Sequence, residues 1–129
     1  MNWNFENAAP VIGSITEGNA WDGEKMLYSN IAMNRILSYD PKTRNVAVWR
    51  DNTQGTNGLN FDAKGNLFGC AGNGRKIARF DPNGDMTTIV DRLDGRRINS
   101  PNDLAITPSG AIYFSDRVGD VEPNVGIDH

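Results

Sequence analysis

The sequence has few of the residues on which several common kinds of site depend. It contains one cysteine and one histidine, Cys70 and His129, so an internal disulfide, a zinc cluster and histidine-based acid–base catalysis are poorly supported. No apolar run approaches the roughly 20 residues of a membrane span, and no N-terminal signal peptide is indicated. The net charge of −3 disfavours a nucleic-acid partner. We therefore expect a cytoplasmic protein without nucleic-acid or membrane partners.

The periodicity of an amphipathic helix is also missing from the sequence. Apolar residues alternate with polar ones over short stretches instead, as they do in half-buried strands. Fourteen glycines and six prolines separate these stretches, which favours tight turns between strands. A chain of 129 residues, 38% of them hydrophobic, is large enough to form one domain with a core. The sequence therefore predicts an all-β domain.

One stretch occurs three times along the chain. Its clearest copy is 99–116, an earlier copy is 57–68, and a more divergent copy is 17–28. Equivalent positions lie about 40 to 45 residues apart, and four short strands fit into each interval. This period is typical of the blades of a β-propeller. The alternative is an ordinary β-sandwich whose hairpins resemble one another.

The predicted architecture is a β-propeller of four-stranded blades. A lead-in at 1–16 precedes blade repeats at about 17–56 and 57–101, and an incomplete repeat at 102–129. Closed propellers usually have four to eight blades, so two to three blades make only part of a ring. Either a longer protein or a homo-oligomer of this chain would complete it, because open sheet edges tend to associate.

Several local signals refine this prediction. Trp21 is predicted to begin a strand, and Asp40–Pro41 to form a turn in which the aspartate caps its own backbone. Turns are also predicted at Asn57–Gly58 and at Asn99–Pro101. The glycine-rich segment 72–76 is predicted to be a hairpin turn and not a phosphate-binding loop, because no helix follows it.

Three residues occupy the same place in the three repeats, at the entrance to the innermost strand of each predicted blade. They are Glu17, Asn57 and Asn102. Such positions converge on the axis of a propeller, and calcium takes six to eight oxygen ligands. We therefore predict Glu17 as a metal ligand and Asn102 as a contact to metal or substrate. The alternative is that each side chain caps a turn, and we favour it for Asn57.

Other polar residues lie near these positions. Ser100 and Asp103 are candidates for substrate contacts, and the alternative is that they only stabilise a turn. Asp116 is interpreted as the cap of a strand end. Cys70 lies in an apolar stretch and is interpreted as a core residue and not as a nucleophile.

The chain closely resembles the gluconolactonase family, which includes regucalcin (senescence marker protein) and bacterial sugar lactonases. The resemblance covers residues 14–119 as an ordered series of motifs. The most specific motifs are Asp91-Arg92-x-x-Gly95-Arg96-Arg97-Ile98-Asn99-Ser100-Pro101-Asn102-Asp103 and Gly110-Ala111-Ile112-Tyr113-Phe114-Ser115-Asp116. Earlier motifs are Glu17-Gly18-x-x-Trp21-Asp22, Asn34-Arg35-Ile36, Asn57-Gly58-Leu59-x-Phe61-Asp62 and Arg75-Lys76-Ile77-x-Arg79.

The resemblance implies a six-bladed propeller that opens lactone rings by hydrolysis. It implies one divalent cation at the mouth of the channel, calcium first, with zinc, magnesium or manganese as alternatives. Glu17 matches the first metal carboxylate of the family, and Asn102 matches the asparagine that faces the substrate beside the metal. The family's later metal ligands, an asparagine and an aspartate that serves as base, lie in a second half that these residues do not include. Ala71 and Asn30 depart from the family pattern, which has a glutamate and an aspartate there.

The predicted function is therefore the calcium-dependent hydrolysis of a sugar lactone such as a gluconolactone. The metal would polarise the lactone carbonyl, with Asn102 as the catalytic residue and with Ser100 and Asp103 as further substrate contacts. Two alternatives stay open at this point. The chain could bind calcium or a ligand without turnover, or it could serve as a self-assembling module.

Overall fold

The computed structural model describes residues 3–9, 13 and 15–118. These residues form three antiparallel sheets and a small hairpin. The first sheet contains β1 (Thr16–Trp21), β2 (Met26–Asn30), β3 (Arg35–Asp40) and β4 (Asn45–Asp51). The second contains β5 (Thr56–Phe61), β6 (Leu67–Ala71), β7 (Lys76–Phe80) and β8 (Met86–Val90). The hairpin pairs β9 (Arg92–Leu93) with β10 (Arg96–Arg97), and the third sheet pairs β11 (Ser100–Ile106) with β12 (Ile112–Arg117).

The strand order confirms the predicted propeller of four-stranded blades. In the first two sheets, spatial neighbours follow the order of the chain, which is the meander of a propeller blade. β1 packs against β5, and β5 packs against β11, so the first strands of successive blades lie side by side. The described residues thus contain two complete blades and two strands of a third. Residues 119–129 of the predicted third repeat lie outside the described residues.

Aspartate side chains define the turns within the blades. The Asp22 carboxylate accepts hydrogen bonds from the backbone amides of Glu24 and Lys25, at 2.7 and 2.6 Å. The chain therefore turns directly after Trp21, and Trp21 ends β1 instead of beginning a strand as predicted. Asp40 accepts from the amide of Lys42 at 2.8 Å in the same way, which confirms the predicted turn there. That hydrogen bond is the main reason why the pKa of Asp40 lies below its usual value.

Two apolar clusters join the blades. The first blade and the second share a cluster of six buried residues: Ala20, Leu27, Ile36, Leu59, Leu67 and Phe80. The second blade and the third share a cluster of four: Phe68, Cys70, Ile77 and Leu104. β6 is buried along its whole length, because its two faces take part in different clusters. The core of the molecule therefore lies between the blades.

An arginine also connects the first two blades at their outer side. The Arg50 guanidinium donates to the backbone oxygens of Asp81 and Asp85, at 2.8 and 3.0 Å. It lies 4.9 Å from the ring centre of Trp49 and 5.5 Å from that of Phe80, which is the geometry of a cation–π contact. Arg50 on β4 thus fixes the outer strand of one blade to the next blade.

Helical structure is minor in the described part of the chain. A single 3₁₀ turn, Ile31–Met33, connects β2 to β3. Among the described residues, no helix is both long enough and apolar enough to cross a bilayer.

Candidate active site

The innermost strands of the three blades share one irregularity in their pairing. The register of β1 with β2 shifts between Glu17 and Ala20. Equivalent shifts occur in β5 between Thr56 and Leu59, and in β11 between Pro101 and Leu104. Each shift inserts one extra residue, as in a β-bulge, and bulges re-aim side chains and are frequent beside active sites. Glu17 directly precedes the first shift, and Asn57 and Asn102 lie within the other two.

Two glycines allow these irregular segments to approach one another. A Cβ atom on Gly18 would collide with the backbone oxygen of Asn57, and its φ of +61° also favours glycine. A Cβ atom on Gly58 would lie 2.6 Å from Asp103 Oδ1 and 2.8 Å from the backbone oxygen of Asn102. Because glycine occupies both positions, the backbone of each blade can pack directly on the next.

As a result, Glu17, Asn57 and Asn102 come together. All three line a cavity of about 330 Å³ and a second cavity of about 440 Å³. The remaining candidates are divided between the two, since Asp103 lines the first and Ser100 lines the second. The structure thus brings all the predicted site residues to one region at the inner edge of the blades.

The structure contradicts our interpretation of Asn57 as a turn residue. Asn57 lies within β5 and is only 9% exposed. The Ser29 hydroxyl, on β2 of the preceding blade, donates to the backbone oxygen of Asn57 at 2.6 Å. An Asn-Gly pair is a common turn signal, but here it forms the bulge of an inner strand that is packed between two others.

The turn predicted around Ser100 is also wrong. Ser100 and Asp103 lie within β11. The Asp116 carboxylate on β12 accepts from the backbone amides of Asn99 and Ser100, at 2.8 Å each, in agreement with its interpretation as a strand-end cap. Asp103 Oδ1 accepts from the amide of Leu104 at 2.8 Å. These bonds fix the entrance of β11, where the candidate substrate contacts lie.

The donor atoms at this edge suit a hard cation. Glu17 offers an exposed carboxylate, and Asn57 and Asn102 offer amide oxygens, which are the ligand types of calcium. Among the described residues, no three His, Cys, Asp or Glu side chains form a group that could hold a metal ion. The donors therefore fit part of an oxygen ligand set for calcium, magnesium or manganese, and they do not resemble the nitrogen and sulfur ligands that zinc favours.

Comparison with known proteins identifies the family. Residues 15–126 match the family model described as the SMP-30/Gluconolactonase/LRE-like region. The chain belongs to this family. It is 28% identical over 116 residues to a gluconolactonase from Zymomonas mobilis subsp. mobilis, an alignment that covers 78% of this chain and 33% of that protein.

Solved structures of family members agree with this assignment. A gluconolactonase from Xanthomonas campestris, described as important in glucose secondary metabolic pathways, superposes with a TM-score of 0.79 at 35% identity, over 85% of this chain and 38% of that one. A second protein, provisionally named a gluconolactonase, superposes with a TM-score of 0.75 at 26% identity, over 81% of this chain and 37% of that one. The chain thus spans little more than a third of the length of these relatives.

In this member of the family, Cys70 is a core residue, as the sequence analysis proposed. It is fully buried in the second interblade cluster. Burial, together with the charges of Asp103 and Asp116, raises the pKa of the Cys70 thiol to about 12. Since the thiolate is the nucleophilic form, Cys70 does not act as a nucleophile near neutral pH.

Two features of the site were not predicted from the sequence. No role was predicted for Gly18 and Gly58, although each directly follows a candidate site residue, which was a usable signal. No role was predicted for Arg117 either, which lines the larger cavity. Arg117 pairs with Ser100 across the sheet, and that proximity depends on the pairing of β11 with β12 and not on any local motif.

Proposed function

We propose that this protein hydrolyses a sugar lactone, such as a gluconolactone, with the help of a divalent cation, calcium in the first instance. The observation that carries the proposal is the convergence of Glu17, Asn57 and Asn102 on two adjoining cavities at the inner edge of the blades. Membership of a family that includes gluconolactonases supports the same reaction.

Each residue has a distinct part in the proposal. The Glu17 carboxylate holds the cation, and the amide oxygen of Asn57 lies within the same group of donors. The Asn102 amide orients the lactone by hydrogen bonds to its carbonyl or ring oxygen, and Ser100 and Asp103 bind its hydroxyl groups. When bound, such a cation would polarise a carbonyl and lower the pKa of a water molecule.

The general base in this reaction would come from blades that the described residues do not form. The chain spans about a third of its relatives, so a longer form of the protein or other copies of the chain would supply it. A ring built from several copies is supported by β12, which pairs only with β11 among the described strands. Its other edge is therefore free of described partners, and such edges favour association.

The test compares two carboxylates of the first blade in the purified full chain. Calcium binding is measured by calorimetry, and hydrolysis of glucono-1,5-lactone is measured by acid release with and without a chelator. We expect Glu17→Gln to weaken calcium binding at least about tenfold and to abolish metal-dependent hydrolysis. Glu24→Gln, in the exposed turn after β1, serves as the matched control and should change neither quantity.

Other outcomes would count against the enzymatic function. Calcium binding without lactone hydrolysis by a closed oligomer would support the second candidate, a self-assembling module without turnover. Light scattering with and without calcium identifies that oligomer, and a monomer that binds calcium without hydrolysis indicates ligand binding alone. Hydrolysis that persists in Glu17→Gln with a chelator present would refute the role of Glu17.

A further inference from the structure

Among the described residues that form the two cavities, one side chain is cationic. The described lining of the smaller cavity is polar, acidic and apolar. In the described lining of the larger one, Arg117 is the basic residue, and Glu17, Asn57, Ser100 and Asn102 also line it. The described walls therefore carry acidic groups at Glu17 and Asp103 and a positive charge at Arg117.

The fold holds the backbone of Arg117 at the entrance of the cavity. Arg117 is the last residue of β12 and pairs with Ser100, the first residue of β11. The neighbouring Asp116 carboxylate accepts from the amides of Asn99 and Ser100, which fixes the two strand ends to each other. An arginine on a strand end that hydrogen bonds hold in place can present its guanidinium at a defined position.

Nothing in the described part of the chain neutralises this guanidinium. The side chain is exposed, and the ion pairs found among described residues, such as Arg44 with Glu6 and Arg79 with Asp81, do not include Arg117. Arginine binds carboxylate and phosphate groups through two parallel hydrogen bonds. Glu17, in contrast, repels an anion, so an anionic group of a ligand would lie on the Arg117 side of the larger cavity.

Resting on the proposed function, we propose that Arg117 determines specificity for sugar lactones that carry an anionic substituent, either a carboxylate or a phosphate. The neutral lactone ring lies towards Asn102 and Glu17, and the anionic substituent is paired with the Arg117 guanidinium. Arg117 acts in recognition and takes no part in bond cleavage.

The first experiment measures binding without any reaction. The full chain is titrated by NMR with glucose, glucuronate and glucose 6-phosphate at one ionic strength, with inorganic phosphate as a further probe. We expect glucuronate or glucose 6-phosphate to bind at least about fivefold more tightly than glucose. The stronger of the two identifies the anion, since one carries a carboxylate and the other a phosphate.

Variants then assign the preference to Arg117. Arg117→Gln should remove it, and Arg117→Lys should keep part of it, because lysine retains the charge but not the paired hydrogen bonds. Arg92→Gln, at an exposed arginine of β9 that lines neither cavity, is the control. Equal binding of all three sugars, a preference that survives Arg117→Gln, or equally tight binding of inorganic phosphate alone would overturn the proposal.

The second experiment separates this inference from the proposed reaction. The kcat/KM values are compared for glucono-1,5-lactone, its 6-phosphate and a glucarolactone. Hydrolysis with equal kcat/KM for neutral and anionic lactones would refute the role of Arg117 while leaving the reaction intact. Selective binding of anionic sugars by a closed oligomer of the chain that hydrolyses none of the lactones would refute the reaction and retain the role of Arg117 in recognition.

Discussion

The two interfaces between blades are built on the same plan but differ in how completely they are closed. Between the first and second blades, six apolar residues are buried together, and the Ser29 hydroxyl and the Arg50 guanidinium add hydrogen bonds across the interface. Between the second and third blades, four residues are buried together with four partly buried apolar neighbours, against two such neighbours in the first cluster. Hydrogen bonds from Arg75 to Ile98 and from Arg97 to Gly74 connect the second blade to the segment that leads into β11.

This difference matters because the candidate site spans both interfaces. Glu17 and Asn57 lie on the neighbouring inner strands of the first interface, and Asn57 and Asn102 on those of the second. The Ser29 hydroxyl fixes the backbone of Asn57 by a hydrogen bond from the preceding blade. The position of Asn102 is fixed by the start of β11, where backbone amides donate hydrogen bonds to Asp116 within the same sheet. We therefore expect the Glu17–Asn57 half of the site to be the more rigid one, and the second interface to open first.

The largest expected effect is at the glycines that allow close packing. Gly18→Ala should destabilise the fold by about 3 kcal/mol or more, because the new methyl group meets the Asn57 backbone and the positive φ is unfavourable for alanine. In Gly58→Ala the new methyl group contacts Asp103 and Asn102, but the backbone φ at this position is not positive. We therefore expect the free energy of unfolding to fall by about 1–3 kcal/mol. Urea unfolding gives both values.

The matched control for the glycines is Gly65→Ala. Gly65 has a φ of +81° with open space around it, so the loss of about 1 kcal/mol expected there measures the backbone effect alone. If Gly18→Ala lost no more unfolding free energy than Gly65→Ala, glycine would not be needed at position 18 for close packing of the blades.

An intermediate effect is expected from removing one leucine from each cluster. Leu27 is 1% exposed in the first cluster and Leu104 is 7% exposed in the second. Leu27→Ala should lower the free energy of unfolding by about 3–4 kcal/mol, and Leu104→Ala should lower it by about 2–3 kcal/mol, because the cavity that the variant leaves is more enclosed in the first cluster. Thermal unfolding of the two variants measures the difference. Equal losses, or a larger loss for Leu104→Ala, would contradict the comparison.

The smallest effect concerns Cys70, which reports on the second interface. Its folded-state pKa of about 12 lies above that of an unfolded thiol. The unfolded chain therefore loses this proton first, and the contribution to stability is complete below about pH 9 and declines as the pH rises towards 12. Comparing the pH dependence of stability with that of Cys70→Ala isolates this contribution.

Labelling of the same thiol measures the opening of the interface directly. At pH 8 a thiol reagent should modify Cys70 slowly in the native protein and rapidly in urea. Leu104→Ala should accelerate native labelling more than Leu27→Ala does, because Leu104 packs in the same cluster as Cys70. Fast labelling of the unaltered protein would show that the second interface is open most of the time.

Much of the fold was predictable because it is encoded locally. The alternation of apolar and polar residues predicts β3, β4 and β8. The turn predicted at Asp40 is confirmed, because the Asp40 carboxylate accepts hydrogen bonds from the amides of Lys42 and Thr43, within three residues of it. Trp21 was misplaced because an apolar residue before a turn fits the end of one strand as well as the start of the next. The repeat of about 40 to 45 residues predicted the propeller architecture, because each blade is formed by one continuous segment of the chain.

The arrangement of the site was decided by the tertiary structure. The sequence by itself determined that three segments repeat, so it could nominate Glu17 and Asn102. It could not place Asn57 within a strand, because the Asn57–Gly58 segment bulges only where it packs against Gly18 and against β11. Arg117 reaches the cavity because the β11–β12 hairpin brings it opposite Ser100 and because β11 packs against β5 of the preceding blade. Local patterns specify strands and turns, whereas contacts between residues far apart in the sequence specify which side chains share a cavity.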